Sequence, residues 1–313
     1  MQTEQSGGVP SSGGLVFSSR QGRRLLLITI LASGMGFLDG TVVNVALPKI
    51  EDELGGGFAT IQWVLDAYLL TLGSLVLVGG SLGDLWGRKR MFLWGVASFA
   101  VASLLCAVAP TAAILIVARA IQGAAAALMI PGSLALLSSL FRAEDRGRAI
   151  GAWSGLSGLV TVLGPFVGGL LVDSGAGGWR WIFVLNLPLA LLVLWLARGV
   201  PESGPQIHPS GSAAGRRGAW RRVDVLGALL ITAGLALVIT PLIEAEHLPT
   251  WLVAGLLGLG AALLILYWTW EQRRELLGSP PPMMPTALWR VRSFTMANLI
   301  TFFVYGALGA VLL

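Results

Sequence analysis

Residues 25–48, LLLITILASGMGFLDGTVVNVALP, decide the fold of this chain. Arg24 precedes the stretch, Lys49 follows it, and Asp39 is the single charged residue within it. About 20 apolar residues in a helix span the roughly 30 Å hydrocarbon core of a bilayer. The stretch therefore predicts a transmembrane helix, and it is too long for the hydrophobic region of a cleaved signal peptide.

Similar apolar stretches follow along the chain and predict further spans. They lie near residues 60–82, 91–109, 112–140, 149–172, 181–197, 225–243, 251–270 and 294–313. The composition agrees, because 55% of the 313 residues are hydrophobic and only 12% are charged, about half the charged fraction of a soluble protein. The sequence therefore predicts an all-α, polytopic helical membrane protein and excludes a soluble globular enzyme, a disordered tail protein and a secreted disulfide scaffold.

Few residues are available for the chemistry of an enzyme. Cys106 is the single cysteine, His208 and His247 are the two histidines, and neither lysine follows a glycine as a Walker A loop requires. We therefore expect no cofactor, no metal site and no enzymatic activity. The net charge of +5 does not indicate nucleic acid, because the basic residues lie between the apolar stretches.

The positions of these basic residues predict the orientation. With the N-terminus placed in the cytoplasm, all but three of the 21 Lys and Arg residues fall in the N-terminal tail or in inside loops; the exceptions are Lys49 and Arg180 outside and Arg119 within a span. Such an asymmetry is typical of cytoplasmic loops. We expect a multi-pass protein of the cytoplasmic membrane with its N-terminus inside.

Composition shifts divide the chain into five parts. Residues 1–19 are predicted to be a disordered cytoplasmic tail, 20–198 an N-terminal bundle of six helices, 199–222 a cytoplasmic linker, 223–272 an inserted helix pair (spans 7 and 8), and 273–313 a loop with the first helix of another bundle. Because the last apolar stretch is still continuing at Leu313, we expect the chain to be a fragment of a longer protein.

Three ionisable side chains lie within predicted spans: Asp39, Asp66 and Arg119. Each costs roughly 2.5–3.5 kcal/mol at mid-helix, so a compensating role is expected. At 1.5 Å per residue, all three fall in one layer roughly 9–13 Å below the outer membrane face. Three interpretations remain open at this point: a structural ion pair that locks the bundle, a proton or cation site in a water-filled cavity, or span boundaries that are wrongly set.

Polar and small residues cluster in three further segments. GSLGDLWGRKR, residues 80–90, combines turn-forming glycines with Asp84 and basic residues between two spans. Arg119, Gln122 and Gly123 share one helix face because they are three and four residues apart. In the fifth span a glycine series leads to Gly164-Pro165, where a helix can bend.

Together these segments resemble the major facilitator superfamily, and specifically its fourteen-helix drug:proton antiporter branch. The segments that carry the resemblance are FLDGTVVNVALP (37–48), WVLDAYLL (63–70), GSLGDLWGRKRMFL (80–93), RAIQGAAAA (119–127), GLVTVLGPFVGGLL (158–171) and WRWIFVLNLP (179–188). Residues 286–313 resemble the start of that family's second six-helix bundle. The resemblance implies that the C-terminal half, which is missing from this chain, is required for transport.

The resemblance also implies roles for individual residues. Asp39 and Arg119 match proton-coupling residues, and Asp66, Gln122 and Asn44 are expected in the substrate cavity. The conformational gate is expected at Gly80, Gly83, Asp84, Gly87 and Arg88, and the antiporter bend at Gly158, Gly164, Pro165, Gly168 and Gly169. Leu85 departs from the family pattern, which usually has a basic residue there.

The function implied by the resemblance is proton-coupled antiport. We expect export of amphipathic, cationic drugs or toxic compounds by alternating access, with the proton gradient as energy source. The expected partners are a small-molecule substrate, protons and the lipid bilayer, with no nucleic acid. One alternative is a dedicated exporter of a single metabolite or antibiotic from the same superfamily, and a remote one is a membrane protein that does not transport.

Overall fold

The computed structural model describes residues 14–175, 177–201, 224–244, 248–277 and 286–312. Within these ranges the chain is helical with short connections and contains no strand apart from an isolated bridge between Leu15 and Phe141. Residues 1–13 of the predicted tail and 202–222 of the predicted linker lie outside the described residues.

The helices follow the predicted spans closely. In chain order they are α1 (Arg20–Leu54), α2 (Gly57–Trp86), α3 (Arg88–Ala107), α4 (Ala112–Leu140), α5 (Ala143–Val172), α6 (Arg180–Val184), α7 (Asn186–Ala197), α8 (Val225–Ile243), α9 (Thr250–Leu277), a 3-10 helix (Thr286–Arg290) and α10 (Arg292–Leu312). The short helix α6 and α7 together make one span, Arg180–Ala197.

Eight spans of the described chain are long and apolar enough to cross a membrane. They coincide with the first eight predicted spans and confirm the all-α, polytopic fold. Helix α10 forms at the ninth predicted span but is not among these eight.

A single glycine separates α2 from α3. Gly87 ends α2 and begins α3 with φ of 97°, and its N–H donates to Gly83 O at 3.0 Å. This φ lies in the left-handed region that a side chain disfavours. The glycine-rich segment at residues 80–90 therefore makes the tight turn that its composition predicts.

Helix α4 lies between α2 and α3 and makes close backbone contact with both. A Cβ added at Gly123 of α4 would lie 2.2 Å from Tyr68 O of α2, and one at Gly95 of α3 would lie 2.8 Å from Met129 N of α4. Glycine thus permits both approaches, as small residues do in membrane helix packing. Helix α1 packs on α5 and α8 on α9, and α8 also contacts α2, where Trp63 Nε1 donates to Glu244 Oε1 at 3.1 Å.

Residues 14–19, at the end of the predicted tail, lie against the turn between α4 and α5. Leu15 N donates to Leu140 O at 2.7 Å, and Arg142 N donates to Leu15 O at 3.2 Å. Ser19 then caps α1, because its Oγ accepts from Gly22 N at 3.0 Å. This segment has fixed backbone hydrogen bonds because Leu15 pairs with Phe141, 126 positions away in the chain, a contact that the Ser- and Gly-rich composition of the segment does not indicate.

Candidate functional site

The structure places Asp39 of α1 against Arg119 of α4 in the centre of the bundle. Both side chains are fully buried, and Arg119 Nη1 donates to Asp39 Oδ2 in an ion pair. Because neither side chain contacts water, each charge is compensated only by the other and by hydrogen bonds within the protein. The two predicted proton-coupling residues therefore lie in one site.

Three neutral polar side chains complete this site, which we call the Asp39 cluster: Asp39, Ser103, Arg119, Gln122 and Asn186. All five are 0% exposed. Gln122 Oε1 accepts from Arg119 Nη1 at 2.8 Å, while its Nε2 donates to Asp39 Oδ1 at 2.9 Å and to Ser103 Oγ at 2.8 Å. Asn186 Nδ2 donates to Asp39 Oδ1 at 3.2 Å and to Ser103 Oγ at 3.2 Å. The Asp39 carboxylate thus accepts from three side chains on two other helices.

The guanidinium of Arg119 has acceptors besides Asp39. Its Nε donates to Val64 O at 2.9 Å, and its Cζ lies 4.3 Å from the ring centroid of Tyr68, a cation–π distance. Tyr68 is itself held by its hydroxyl, which donates to Gly36 O at 2.9 Å. Arg119 Nη2 has no hydrogen-bond partner in the described part of the chain. The contacts with Val64 O and the Tyr68 ring therefore hold the Arg119 side chain in place even when its bond to Asp39 is broken.

The three residues predicted for the substrate cavity lie in different places. Gln122 belongs to the buried Asp39 cluster, whereas Asn44 is exposed on α1 and donates only to Gly40 O of its own helix, at 3.3 Å. Asp66 is half-buried on α2 and makes no hydrogen bond or ion pair with any described residue. The structure brings Gln122 to the ion pair but does not join it with Asn44 and Asp66 in one pocket.

An apolar groove of about 450 Å³ runs between α2 and α4. Trp63, Leu70, Thr71, Val117 and Ile121 are among the residues that line it. None of the predicted cavity residues is part of this lining.

The predicted gate residues form a salt bridge across the α2–α3 turn. Asp84 Oδ1 accepts from Arg88 Nε at 3.0 Å and Nη2 at 2.9 Å, and Arg88 Nη1 donates to Ala135 O of α4 at 3.3 Å. The pair therefore ties the end of α2 to α4. Asp84 remains half exposed, and a Cβ at Gly80 would meet no described atom within 4 Å.

Helix α5 continues through Pro165 with help from α1. Proline has no N–H for the carbonyl four residues earlier, which belongs to Thr161. Thr41 Oγ1 of α1 lies 3.2 Å from Thr161 O, and its single proton is shared between this carbonyl and Leu38 O of its own helix, at 3.0 Å. Membrane helices tolerate proline where a neighbouring hydroxyl supplies a donor in this way.

The glycines of the predicted bend divide between two faces of α5. Added Cβ atoms at Gly164 and Gly168 would lie 2.1 Å from Thr41 Oγ1 and 3.0 Å from Val42 Cγ2, so these two glycines allow α1 to approach. At Gly158 and Gly169 an added Cβ would have no described atom within 4 Å. One face of α5 packs within the bundle and the other is open.

A second buried ionic contact joins α8 to α9. Asp224 caps α8, accepting from Gly227 N at 2.8 Å and from Trp270 Nε1 at 3.2 Å, and Arg274 Nη1 donates to its Oδ2. Burial acts to raise the pKa of Asp224, but the hydrogen bonds from Gly227, Arg274 and Trp270 hold the pKa below its usual value. This contact was not predicted from the sequence, although aspartate before an apolar run is a common N-cap.

Three members or neighbours of the Asp39 cluster were also not predicted from the sequence: Ser103, Asn186 and Tyr68. Asn186 and Tyr68 lie in segments already singled out, WRWIFVLNLP and WVLDAYLL, and an amide within an apolar span is itself a signal. Ser103 carries no such signal, because serine in a helix commonly bonds to the backbone of its own turn.

This bundle, with its spans and its buried intramembrane ion pair, defines a multi-pass α-helical membrane protein. Residues 29–312 match the sequence profile of the Major Facilitator Superfamily, and the chain belongs to that family. Membership confirms the prediction of a transporter fold and of a protein that is not an enzyme. The fourteen-helix branch stays a prediction.

Proteins of similar sequence occur in several bacteria. The chain is 40% identical over 248 residues to the "Probable actinorhodin transporter" of Streptomyces coelicolor, covering 78% of this chain and 41% of the relative. It is 36% identical over 299 residues to the "Multidrug resistance protein Stp" of Mycobacterium tuberculosis (91% and 52%) and 32% identical over 299 residues to the "Multidrug transporter protein MdtP" of Bacillus subtilis (93% and 52%). The chain thus spans about half the length of the curated relatives it matches.

Solved structures agree on the fold. A bacterial homologue of the human lysosomal transporter Spinster superposes with a TM-score of 0.52 at 18% identity, covering 78% of this chain and 60% of that chain. The xylose transporter XylE of E. coli, in a partially occluded inward-open conformation, superposes with a TM-score of 0.52 at 15% identity, covering 83% and 71%. At these identities the likeness concerns the fold alone.

Proposed function

We propose that this chain is the N-terminal part of a proton-coupled antiporter that exports amphipathic, cationic compounds across the cytoplasmic membrane. The fully buried Asp39–Arg119 pair is the observation that carries the proposal. Ionisable residues are costly at membrane depth and mark proton or ion pathways in transporters. Relatives named for multidrug transport and multidrug resistance support an export function.

The surroundings of the pair suit a carboxyl that gains and loses a proton. As a carboxylate, Asp39 is stabilised by Arg119 and by two neutral donors, Gln122 and Asn186. After proton uptake, Arg119 keeps Val64 O, Gln122 Oε1 and the Tyr68 ring. In the protonated state, Arg119 therefore has no counter-ion but keeps two hydrogen-bond acceptors and an aromatic ring, which offset part of the cost of breaking the ion pair.

Asp66 supports the choice of cationic substrates. It is a half-buried carboxylate within a span, and no described residue pairs with it. A carboxylate in such surroundings attracts a cation, because the low dielectric strengthens their interaction. Asp66 is thus proposed to contact the substrate, and Asp39 to carry the proton.

We propose further that transport requires a second helical bundle, in a transporter of fourteen helices. Alternating access rocks one bundle against another around a central site. The lengths of the relatives support a longer protein, and so do the open faces of two helices. Cβ atoms added at Gly73 of α2 or at Gly155 of α5 would meet no described atom within 4 Å, and Phe166 of α5 is 71% exposed. Transport assays therefore require the complete reading frame.

The Asp84–Arg88 pair is proposed to act as the gate between conformations. It joins the α2–α3 turn to a carbonyl of α4 through one salt bridge and one hydrogen bond. A rearrangement of α2 against α4 would break this link. The distribution of basic residues supports a cytoplasmic position for this turn and for the N-terminus.

A dedicated exporter of one antibiotic is the second candidate. Relatives named for a single compound favour it: besides the actinorhodin transporter, the "Methylenomycin A resistance protein" of Streptomyces coelicolor is 40% identical over 283 residues, covering 88% of this chain and 55% of the relative. Substrate range separates the candidates, since a multidrug exporter lowers susceptibility to chemically unrelated cations and a dedicated exporter to one compound.

The proposal is tested by efflux from cells that lack other pumps and express the complete reading frame. We expect export of ethidium and of unrelated cationic drugs that stops when an ionophore collapses the proton gradient. Asp39→Asn should abolish this export without loss of membrane insertion, because a neutral amide cannot cycle a proton. Asp52→Asn, which removes an exposed carboxylate near the end of the same helix, is the matched control and should leave export unchanged. Ethidium export that persists without a proton gradient would contradict the proposal.

A further inference from the structure

Asn186 lies where the hydrogen-bond ladder of the span Arg180–Ala197 is interrupted, although Leu185 keeps helical backbone angles. Helix α6 ends at Val184, Leu185 forms a turn, and α7 begins at Asn186. Pro188 cannot donate to Val184 O, so the helical ladder is interrupted at this point. An amide side chain is therefore held next to a missing ladder bond within the membrane-spanning bundle.

The nitrogen and the oxygen of the Asn186 side-chain amide differ in their hydrogen bonding. Its Nδ2 donates to Asp39 Oδ1 and to Ser103 Oγ, both at 3.2 Å. Its Oδ1 is buried and has no hydrogen-bond partner among the described residues. A buried acceptor without a partner is unfavourable, and this one belongs to the same amide that contacts the Asp39 carboxylate.

This arrangement suits an amide that serves both protonation states of Asp39. With the carboxylate, Nδ2 is the donor seen in the structure. With the carboxylic acid, rotation of the amide turns Oδ1 toward Asp39, whose O–H then donates to it. Gln122 cannot do the same, because its Oε1 already accepts from Arg119 Nη1 and from Cys106 Sγ.

We infer that Asn186 is a positioning residue for proton exchange at Asp39, acting through the carboxyl rather than on the substrate. The inference rests on the proposed function of Asp39. The titratable groups that face Asp39 are Arg119 on α4, Tyr68 on α2 and Cys106 on α3, and none of them is removed by a substitution at Asn186.

The test is the pH profile of proton–ethidium exchange in proteoliposomes that contain the complete reading frame. Asn186→Leu removes the donor and the acceptor together. Hydrogen bonds to an ionised group are about twice as strong as neutral ones. Loss of the Nδ2 donor therefore destabilises the Asp39 carboxylate more than loss of the Oδ1 acceptor destabilises the protonated acid. The midpoint of the profile should move upward by about 0.5 to 1 pH unit, a change of about 0.7 to 1.4 kcal/mol between the two states.

Three further variants separate positioning from packing. Asn186→Ala should shift the midpoint in the same direction. If Asn186→Leu is not inserted into the membrane, Asn186→Ala tests the positioning role of Asn186 in its place. Asn186→Gln keeps an amide and should return the midpoint at least halfway. Val193→Ala removes a fully buried side chain of α7 outside the cluster, so it should lower thermal stability and leave the midpoint unchanged.

Two different results would contradict the role of Asn186 and the proposed function separately. A midpoint that stays within about 0.2 pH unit of the parent in Asn186→Leu and Asn186→Ala, while Asp39→Asn abolishes exchange, would overturn the role of Asn186 alone. Exchange at the parental rate in Asp39→Asn would overturn the proposed function itself.

Discussion

Replacing Arg119 with leucine leaves Asp39 buried without a counter-ion, and the cost of this change should depend on pH. Both side chains are 0% exposed, so water cannot replace the guanidinium. Breaking a buried pair in this way costs about 3–5 kcal/mol. The carboxyl can limit that cost by binding a proton when the chain folds.

The free energy of protonating Asp39 sets the upper limit on the stability lost in Arg119→Leu. An aspartate in water titrates near pH 3.9, so protonation at pH 7 costs about 4 kcal/mol, and at pH 5 only about 1.5 kcal/mol. Because Gln122 and Asn186 still donate to Asp39, the loss of unfolding free energy in Arg119→Leu should be about 3–4 kcal/mol at pH 7. The folded variant binds one proton more than the unfolded chain, so its stability rises as the pH falls. The loss should therefore shrink to about 1.5 kcal/mol at pH 5, plus a pH-independent part from the lost contacts to Val64 and Tyr68.

The assay is SDS-induced unfolding in mixed micelles between pH 5 and pH 7.5, followed by the fluorescence of the 12 tryptophans. Arg180→Leu is the matched control, because Arg180 pairs with Glu53 at 2.6 Å and both side chains are about one third exposed. Its loss should stay below about 1 kcal/mol and should not change over this range. A loss in Arg119→Leu that is equal at pH 5 and pH 7.5 would refute the reasoning, since it would mean that Asp39 does not take up a proton in the buried site.

Three further predictions concern helix packing and the gate. Gly123→Ala should destabilise the fold by about 1–3 kcal/mol, because its Cβ would overlap a backbone carbonyl of α2, whereas Gly155→Ala faces open space and should be neutral in the same SDS titration. Thr41→Val should cost about 1 kcal/mol where Pro165 is present and less in a Pro165→Ala background, because the alanine N–H restores the helical bond; equal costs would contradict the proposed donor role. Asp84→Asn should lower ethidium efflux by the complete reading frame severalfold at unchanged membrane level, and undiminished efflux would remove Asp84 from the gate.

The helices and the central pair could be predicted from the sequence because their causes are local. The spans follow from apolar length, and Asp39 and Arg119 stand out because a charge within a span is costly. Gln122 follows from its position one helical turn after Arg119. These signals do not depend on how distant segments pack.

The remaining contacts depend on packing between helices that are far apart in the chain. Asn186 reaches Asp39 across 147 positions, and Thr41 reaches Thr161 across 120. A helical periodicity of 3.6 residues identifies which residues share a face, but not which helix that face meets. The resemblance to family positions groups Asn44 and Asp66 with Gln122, whereas in the structure Gln122 is buried in the Asp39 cluster, Asn44 is exposed on α1 and Asp66 is half-buried on α2.

The central claim is that Asp39 carries the transported proton. Proteoliposomes that contain the complete reading frame and an internal pH-sensitive dye allow proton flux and ethidium flux to be recorded together under an imposed proton gradient. For the parent we predict ethidium movement against its own gradient, coupled to a proton flux in the opposite direction. For Asp39→Asn we predict that both coupled fluxes stop while exchange of ethidium for ethidium, which needs no proton, continues. Coupled proton flux at the parental rate in Asp39→Asn would contradict the claim and would leave the Asp39–Arg119 pair with a structural role.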